Sequence, residues 1–262
     1  MTTAAFDTSR AYKPWEVDGK FFGDGREAAL LDYVYSHPDL EQIRGNPARV
    51  CAAIDAFAQA HTGLINIGEL KGALVCDTIA KHRPAVMLEL GGYVGYSAIL
   101  FGSAVKQAGG ARYFSVEKNP LFAAVAASLA DLAGLRDTVR VVVGTGAEGI
   151  QRLFDQGALR SQIGMLFLDH HKPSYTADLK LCERLGLIGA GTVMVADNMI
   201  LPGNPPYAAY VRASAAEKQA QAARGEDAGN PNLQYTSRSV VSYEPSGQQD
   251  ALEITECSGS AA

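Results

Sequence analysis

The sequence predicts an α/β fold, doubly wound and Rossmann-like, from short apolar runs, helix-like stretches between them, and a tail that breaks the alternation. The runs AVMLEL (85–90), ARYFSV (111–116), TVRVVV (138–143), IGMLFL (163–168) and GTVMVA (191–196) are apolar on both faces. Strands of a parallel sheet covered by helices on both sides have this pattern, with right-handed crossovers between them. In the tail, LQYTSRSVVSY (233–243) and DALEITEC (250–257) flank EPSGQQ, whose Pro and Gly suit a turn. A β-hairpin there completes a mostly parallel sheet of seven strands.

Ahead of the strands, REAALLDYVYSH, PARVCAAIDAFAQAH and ELKGALVCDTIAKH repeat apolar residues at three- and four-residue steps, the period of helices. Pro47 suits a first helical turn. One domain is expected over 1–262: an N-terminal extension (1–22), N-terminal helices (23–82) and the α/β core (83–257). The polar stretch AEKQAQAARGEDAGNPN, within 214–232, reads as a surface loop.

Composition narrows the function. Of 262 residues, 47% are hydrophobic, enough to fill a core, while 23 Lys and Arg stand against 28 Asp and Glu. A net charge of −5 disfavours a phosphate backbone as partner, so no nucleic acid is expected. The beginning of the chain lacks a basic patch followed by an apolar stretch, and no long apolar span occurs. The expectation is no secretion signal, no membrane contact and a cytoplasmic location. Cys51, Cys76, Cys182 and Cys257 lie far apart and read as reduced thiols.

In doubly wound sheets ligands gather at the carboxyl ends of the strands. LELGGYVGYS sets Gly91, Gly92 and Gly95 where a strand turns into a helix, allowing close approach of backbone to a ligand. Glu117, ending FSVEKNP, suits a ribose diol because a carboxylate can accept two hydroxyl hydrogen bonds. That much fits a nicotinamide dinucleotide or S-adenosylmethionine. The acid Glu89 and the rings of Tyr93 and Tyr96 favour the cationic sulfonium, and the GxGxxG spacing of the dinucleotide fingerprint is missing.

LFLDHHK and VMVADNM place Asp169 and the pair Asp197–Asn198 at the ends of two strands. Two carboxylates and an amide oxygen are hard donors suited to Mg²⁺, with positions left for a vicinal diol and a water. Lys172, three residues beyond Asp169, can face the same space, and a dication nearby disfavours its protonated form. It is the candidate general base. Adjacent His170 and His171 point apart on an extended chain, which argues against zinc.

In order along the chain, GDGREAALLDYV, INIGELKG, LELGGYVGYSA, VEKNP, MLFLDHHK, LGLIGAGTVMVADNMILPG and AYVR resemble the catechol O-methyltransferases, Mg²⁺-dependent enzymes with a Rossmann-like methyltransferase fold. The resemblance implies a cofactor site of Asn66, Ile67, Gly91, Tyr93, Ser97, Glu117, Gly144, Asp169 and His170, with Ser97 at the methionine end. It also implies Mg²⁺ on Asp169, Asp197 and Asn198, Lys172 as base, and His171, Lys172, Asn198 and Pro202 around the acceptor. Two tryptophan walls of the animal enzymes' slot align with Gly63 and His171, an arginine with Ser174, and the acid that binds the second hydroxyl with Val240 or Ser239. A wider slot follows, hence a catechol or polyphenol bulkier than simple catecholamines. The alternatives are a nicotinamide-dependent oxidoreductase and a non-catalytic S-adenosylmethionine-binding protein; homodimerisation is left open.

Overall fold

The computed structural model describes residues 5–260, so of the expected N-terminal extension residues 1–4 lie outside the described part. After a 3-10 turn at Thr8–Arg10 come four α-helices: α1 (Arg26–Tyr35), the short α2 (Leu40–Ile43), α3 (Pro47–Ala60) and α4 (Gly68–His82). Asn46 caps α3 by accepting from the Arg49 amide at 3.2 Å, and Pro47 sits in its first turn as its fixed φ favours. Apolar faces of these helices bury Leu30, Val34, Ile54, Phe57, Val75 and Ile79 in one hydrophobic core.

The alternating part runs β1 (Val86–Leu90), α5 (Tyr96–Gln107), β2 (Arg112–Glu117), α6 (Pro120–Leu132), β3 (Val139–Val143), α7 (Gly146–Asp155), β4 (Met165–Leu168), α8 (Tyr175–Arg184) and β5 (Val193–Ala196). After it come α9 (Pro205–Arg212), α10 (Ala215–Ala223), β6 (Leu233–Tyr243) and β7 (Gln249–Ser260). The seven strands pair in the order β3-β2-β1-β4-β5-β7-β6, and only β7 runs antiparallel to its neighbours. The five apolar runs are therefore the five parallel strands, and β4 and β5 are buried throughout because helices cover both faces.

This order reverses between β1 and β4. Crossovers lead outward from β1 through β2 to β3, and the next strand returns to the other side of β1. A crevice opens at such a switch point, beyond the carboxyl ends of the strands. The residues after β1, β2, β4 and β5 therefore share one rim.

The polar stretch read as a surface loop is corrected in its first half. Ser214 and Glu217 form a reciprocal capping box that opens α10, and Lys218 in it is buried, its ammonium donating to the Leu233 carbonyl at 2.5 Å and lying 4.0 Å from the Tyr235 ring centroid. The alanines after the cap favour helix, and the cap satisfies the amides a helix start leaves open. Among the described residues no helix is long and apolar enough to cross a membrane.

Candidate functional site

At the end of β1 the backbone turns through left-handed conformations at Gly91 (φ 97°) and Gly95 (φ 91°). A Cβ at Gly91 would meet the Asp169 carbonyl oxygen at 2.3 Å, and one at Gly92 would meet Ser115 Oγ at 2.4 Å. Only glycine lets the two strand ends approach so closely. Glu117, at the tip of β2, receives the amides of Tyr93 (2.8 Å) and Asn119 (2.7 Å), and burial still holds its carboxyl above the usual range.

The tyrosines expected near a sulfonium have their hydroxyls tied to the N-terminal helices. Tyr93 donates to Glu27 at 2.8 Å and meets Phe122 edge-on, while Tyr96 donates to Asp55 at 3.3 Å. Beneath the glycine turn Glu89 is fully buried. Ser115 donates to its Oε2 at 2.5 Å, and burial pushes its carboxyl up to about 7. Among the described residues its Oε1 has no hydrogen-bond partner, and neither do Asn66 Nδ2 and His170 Nδ1.

Buried polar atoms without partners are costly and rare, and these three share that state with Glu27 Oε2 and the hydroxyls of Tyr113 and Tyr207, which are also without one among the described residues. His170 is oriented by Asp178, 2.8 Å from its Nε2, and by stacking on Tyr175 at 4.9 Å between ring centroids. Ser97 and Ile67 are buried at the starts of α5 and α4, and the Gly144 amide donates to the Glu117 carbonyl at 2.9 Å. The nine residues expected around the cofactor thus follow β1, β2, β3 and β4 or lead into α4.

The Asp169 amide donates to Leu90 and the Asp197 amide to Leu168, each at 2.9 Å, which sets the two acids side by side at the ends of β4 and β5. Burial raises the Asp197 carboxyl to about 6, with the charge of Asp169 adding to the rise and Lys71 opposing it. Asn198 follows in a left-handed conformation (φ 61°), which asparagine tolerates better than most residues. Its Nδ2 donates to Glu244 at 2.7 Å. Lys172 Nζ lies 3.0 Å from Asp169 Oδ1 and 2.9 Å from the Tyr175 hydroxyl, so it faces the rim.

Behind this front lies a cluster the sequence reading missed. Lys71 is completely buried, and its ammonium contacts Asp197 Oδ1 (2.6 Å), Glu244 Oε1 (2.7 Å) and Asp250 Oδ2 (2.7 Å). Asp250 Oδ1 in turn accepts the amides of Ile200 and Leu201, each at 2.9 Å, fixing the loop that carries the half-exposed to exposed run up to Pro202. Burial would raise Asp250, but Lys71 and the hydrogen bonds hold it at about 2. Burial pushes Glu244 the other way, well above the carboxylate range.

Glu244 also corrects the expected loss of an acid. Val240 and Ser239 pair with Leu252 and Glu253 within the hairpin, whereas Glu244 begins its turn, where its amide donates to Gln248 at 2.8 Å. An acid thus stands beside Asn198. Gly63 lies under the N-terminal strap: a Cβ there would meet the Lys13 carbonyl oxygen at 2.0 Å. His171 is exposed, with Nδ1 3.2 Å from Ser174 Oγ.

The donor set fits Mg²⁺. Asp169 Oδ2, Asp197 Oδ2 and Asn198 Oδ1 take no hydrogen bond among the described residues, while each side chain's other polar atom is held by a lysine or by Glu244. With Glu244 held protonated by burial, the carboxylates of Asp169, Asp197 and Asp250 stand against the ammonium groups of Lys71 and Lys172 and leave a surplus of negative charge that a cation complements. Asp197, Glu244 and Asp250 form a second close acidic trio, and the Lys71 ammonium contacts all three.

Known proteins of similar sequence and fold are methyltransferases. A family described as a methyltransferase domain matches residues 88–199. A catechol O-methyltransferase of Bos taurus is 37% identical over 209 residues, covering 78% of this chain and 74% of that protein. A probable O-methyltransferase of Mycobacterium tuberculosis is 39% identical over 193 residues, covering 72% and 80%. Among solved structures, an O-methyltransferase from Bacillus cereus in complex with SAH is similar with a TM-score of 0.57 at 21% identity, covering 88% of this chain and 96% of that one.

Proposed function

The chain belongs to the catechol O-methyltransferase family and is an S-adenosylmethionine-dependent O-methyltransferase, and on that premise we propose that its acceptor is an ortho-diphenol held on Mg²⁺ by Asp169, Asp197 and Asn198. The observation that carries the reading is the trio of unpartnered oxygens on those residues, beside the Lys172 amine at two adjoining strand ends. A bound Mg²⁺ would supply Lewis acidity that lowers the pKa of a coordinated hydroxyl.

The chain's own groups then have distinct tasks. Asp169 Oδ1 and the Tyr175 hydroxyl hold the Lys172 amine at the rim. In its neutral form that amine takes the proton of one acceptor hydroxyl. Bound S-adenosylmethionine would supply the methyl group to the phenolate oxygen, the carbon–sulfur bond breaking as the carbon–oxygen bond forms, with a neutral thioether as leaving group. Glu244, oriented by Asn198 and Lys71, is placed to receive a hydrogen bond from the second hydroxyl. The cofactor's ribose diol belongs on Glu117, and the unpartnered atoms of Asn66, Glu89 and His170 suit its other polar groups.

With Glu244 present, one of the two reasons for a bulkier acceptor falls. The other stands on the exposed side chain of His171, which leaves that side of the slot without a buried aromatic wall. Labelled methyl transfer to a panel of catechols and polyphenols, with Mg²⁺ and with excess chelator, tests the whole reading. Transfer is expected to one hydroxyl of ortho-diphenols and to stop in chelator. Turnover that persists in chelator would remove Asp169, Asp197 and Asn198 as metal ligands.

A further inference from the structure

The segment from Tyr12 to Lys20 crosses the molecule as a strap anchored at both ends of its path. The Tyr12 amide donates to the Pro245 carbonyl and the Lys13 amide to the Ala58 carbonyl, each at 2.9 Å. Tyr12 also hydrogen-bonds Asp55 through its hydroxyl. The Arg26 side chain, almost entirely buried, spends its donors on the carbonyls of Trp15 (2.6 Å), Gly63 (2.7 Å) and Lys20 (3.3 Å), with Asp24 as counter-charge at 2.7 Å. Burying a guanidinium is costly unless its donors are satisfied, so this clamp fixes the strap firmly.

The strap lies beside two segments that lead to Asn66 and to Glu244. It rides over Gly63, where any Cβ would come within 2.9 Å of Pro14 and Trp15 backbone atoms, and three residues on is Asn66. On its other side it is bonded to Pro245, next to Glu244, and Pro245 itself packs on Gly68. A groove runs along this junction, lined on the strap by Trp15, Glu16 and Asp18 among others and across from it by Ser246 and Gln248. The two carboxylates of its lining face no lysine or arginine among the lining residues, and Trp15 is the single tryptophan of the chain.

We infer that this strap is the outer lip of the acceptor site, and that Trp15 reads the part of an ortho-diphenol that extends beyond its diol ring. The inference rests on the proposed function and deepens it. An indole offers a large, rigid face to a planar extension, and Glu16 with Asp18 disfavours an extension that carries a carboxylate, because like charges in a shared groove repel. The occupant is therefore a neutral, planar, ring-extended ortho-diphenol.

The test compares kcat/KM for three acceptors with Mg²⁺: simple catechol, a ring-extended ortho-diphenol ending in a neutral ester, and the same skeleton as its free carboxylate. The wild type is expected to prefer the ester over the carboxylate. In Trp15→Ala the ratio of ester to simple catechol falls roughly tenfold, through KM rather than kcat. In the double variant Glu16→Gln with Asp18→Asn the ester-to-carboxylate preference shrinks. S-adenosylmethionine affinity and the thermal midpoint, measured on each variant, separate a local change from a damaged fold. If catechol is methylated but Trp15→Ala leaves the ester ratio unchanged, the lip inference is overturned. If no ortho-diphenol is methylated at all, the functional reading fails first.

Discussion

Glu89 is the residue on which the cost of the proposed cofactor surface is plainest. Its carboxyl is fully buried with one oxygen unpartnered, and burial moves it from 4.5 to about 7. Between those values the folded chain holds a proton that the unfolded chain has released. The stabilisation is complete below about pH 4.5 and is lost as the pH rises through 7, a span of roughly 3 kcal/mol. Glu89→Gln keeps the group neutral at every pH. In denaturant titrations without cofactor, the variant should gain on the wild type as the pH goes from 5 to 8; a constant difference would contradict the burial argument. Lys172 is the corresponding residue on the chemical side: Lys172→Ala should lower turnover by about 10²–10⁴, with S-adenosylmethionine affinity nearly intact in a direct binding assay. An unchanged rate would remove it as the base.

At the scale of elements, α10 shows what a polar sequence can hide. Its nine residues look like a loop because they carry almost no apolar stripe, yet Ser214 accepts from the Glu217 amide at 3.2 Å and Glu217 answers to the Ser214 amide at 2.8 Å. Ser214→Ala should therefore cost about 1 kcal/mol in chemical denaturation with the m-value unchanged. A loss near zero would show that α10 is held by Lys218 and its neighbours alone. The five parallel strands were legible because each is a short, mostly apolar run bounded by turn residues, too short for a helix, even at β3, whose outer positions are exposed at the sheet edge. The hairpin was legible as an element but not in its detail. Its turn sets where Glu244 falls, and a turn of five residues, 244–248, has no hydrophobic period to fix the alignment.

At the scale of the whole molecule, Asp169 and Asp197 could be placed at strand tips from sequence because each follows an apolar run, and the proposed base Lys172 comes three residues after the first. Lys71 could not, because its three partners are 126, 173 and 179 residues away and nothing in ELKG distinguishes a buried ammonium from a solvated one. Yet this one ammonium joins α4 to the end of β5, to the hairpin turn and to the start of β7. Its removal leaves three carboxylates facing one another in a buried space. Lys71→Met fills a similar volume without charge and should cost about 3–5 kcal/mol, the penalty for leaving a buried ionic partner uncompensated. The same change leaves the negative charge around Asp197 uncancelled, so added Mg²⁺ should recover part of the lost thermal midpoint in the variant and raise that of the wild type less. Thermal unfolding of both proteins across a Mg²⁺ series measures this. A variant as stable as the wild type without metal would mean that these acids are neutral in the fold, and the surplus charge assigned to the rim would not exist.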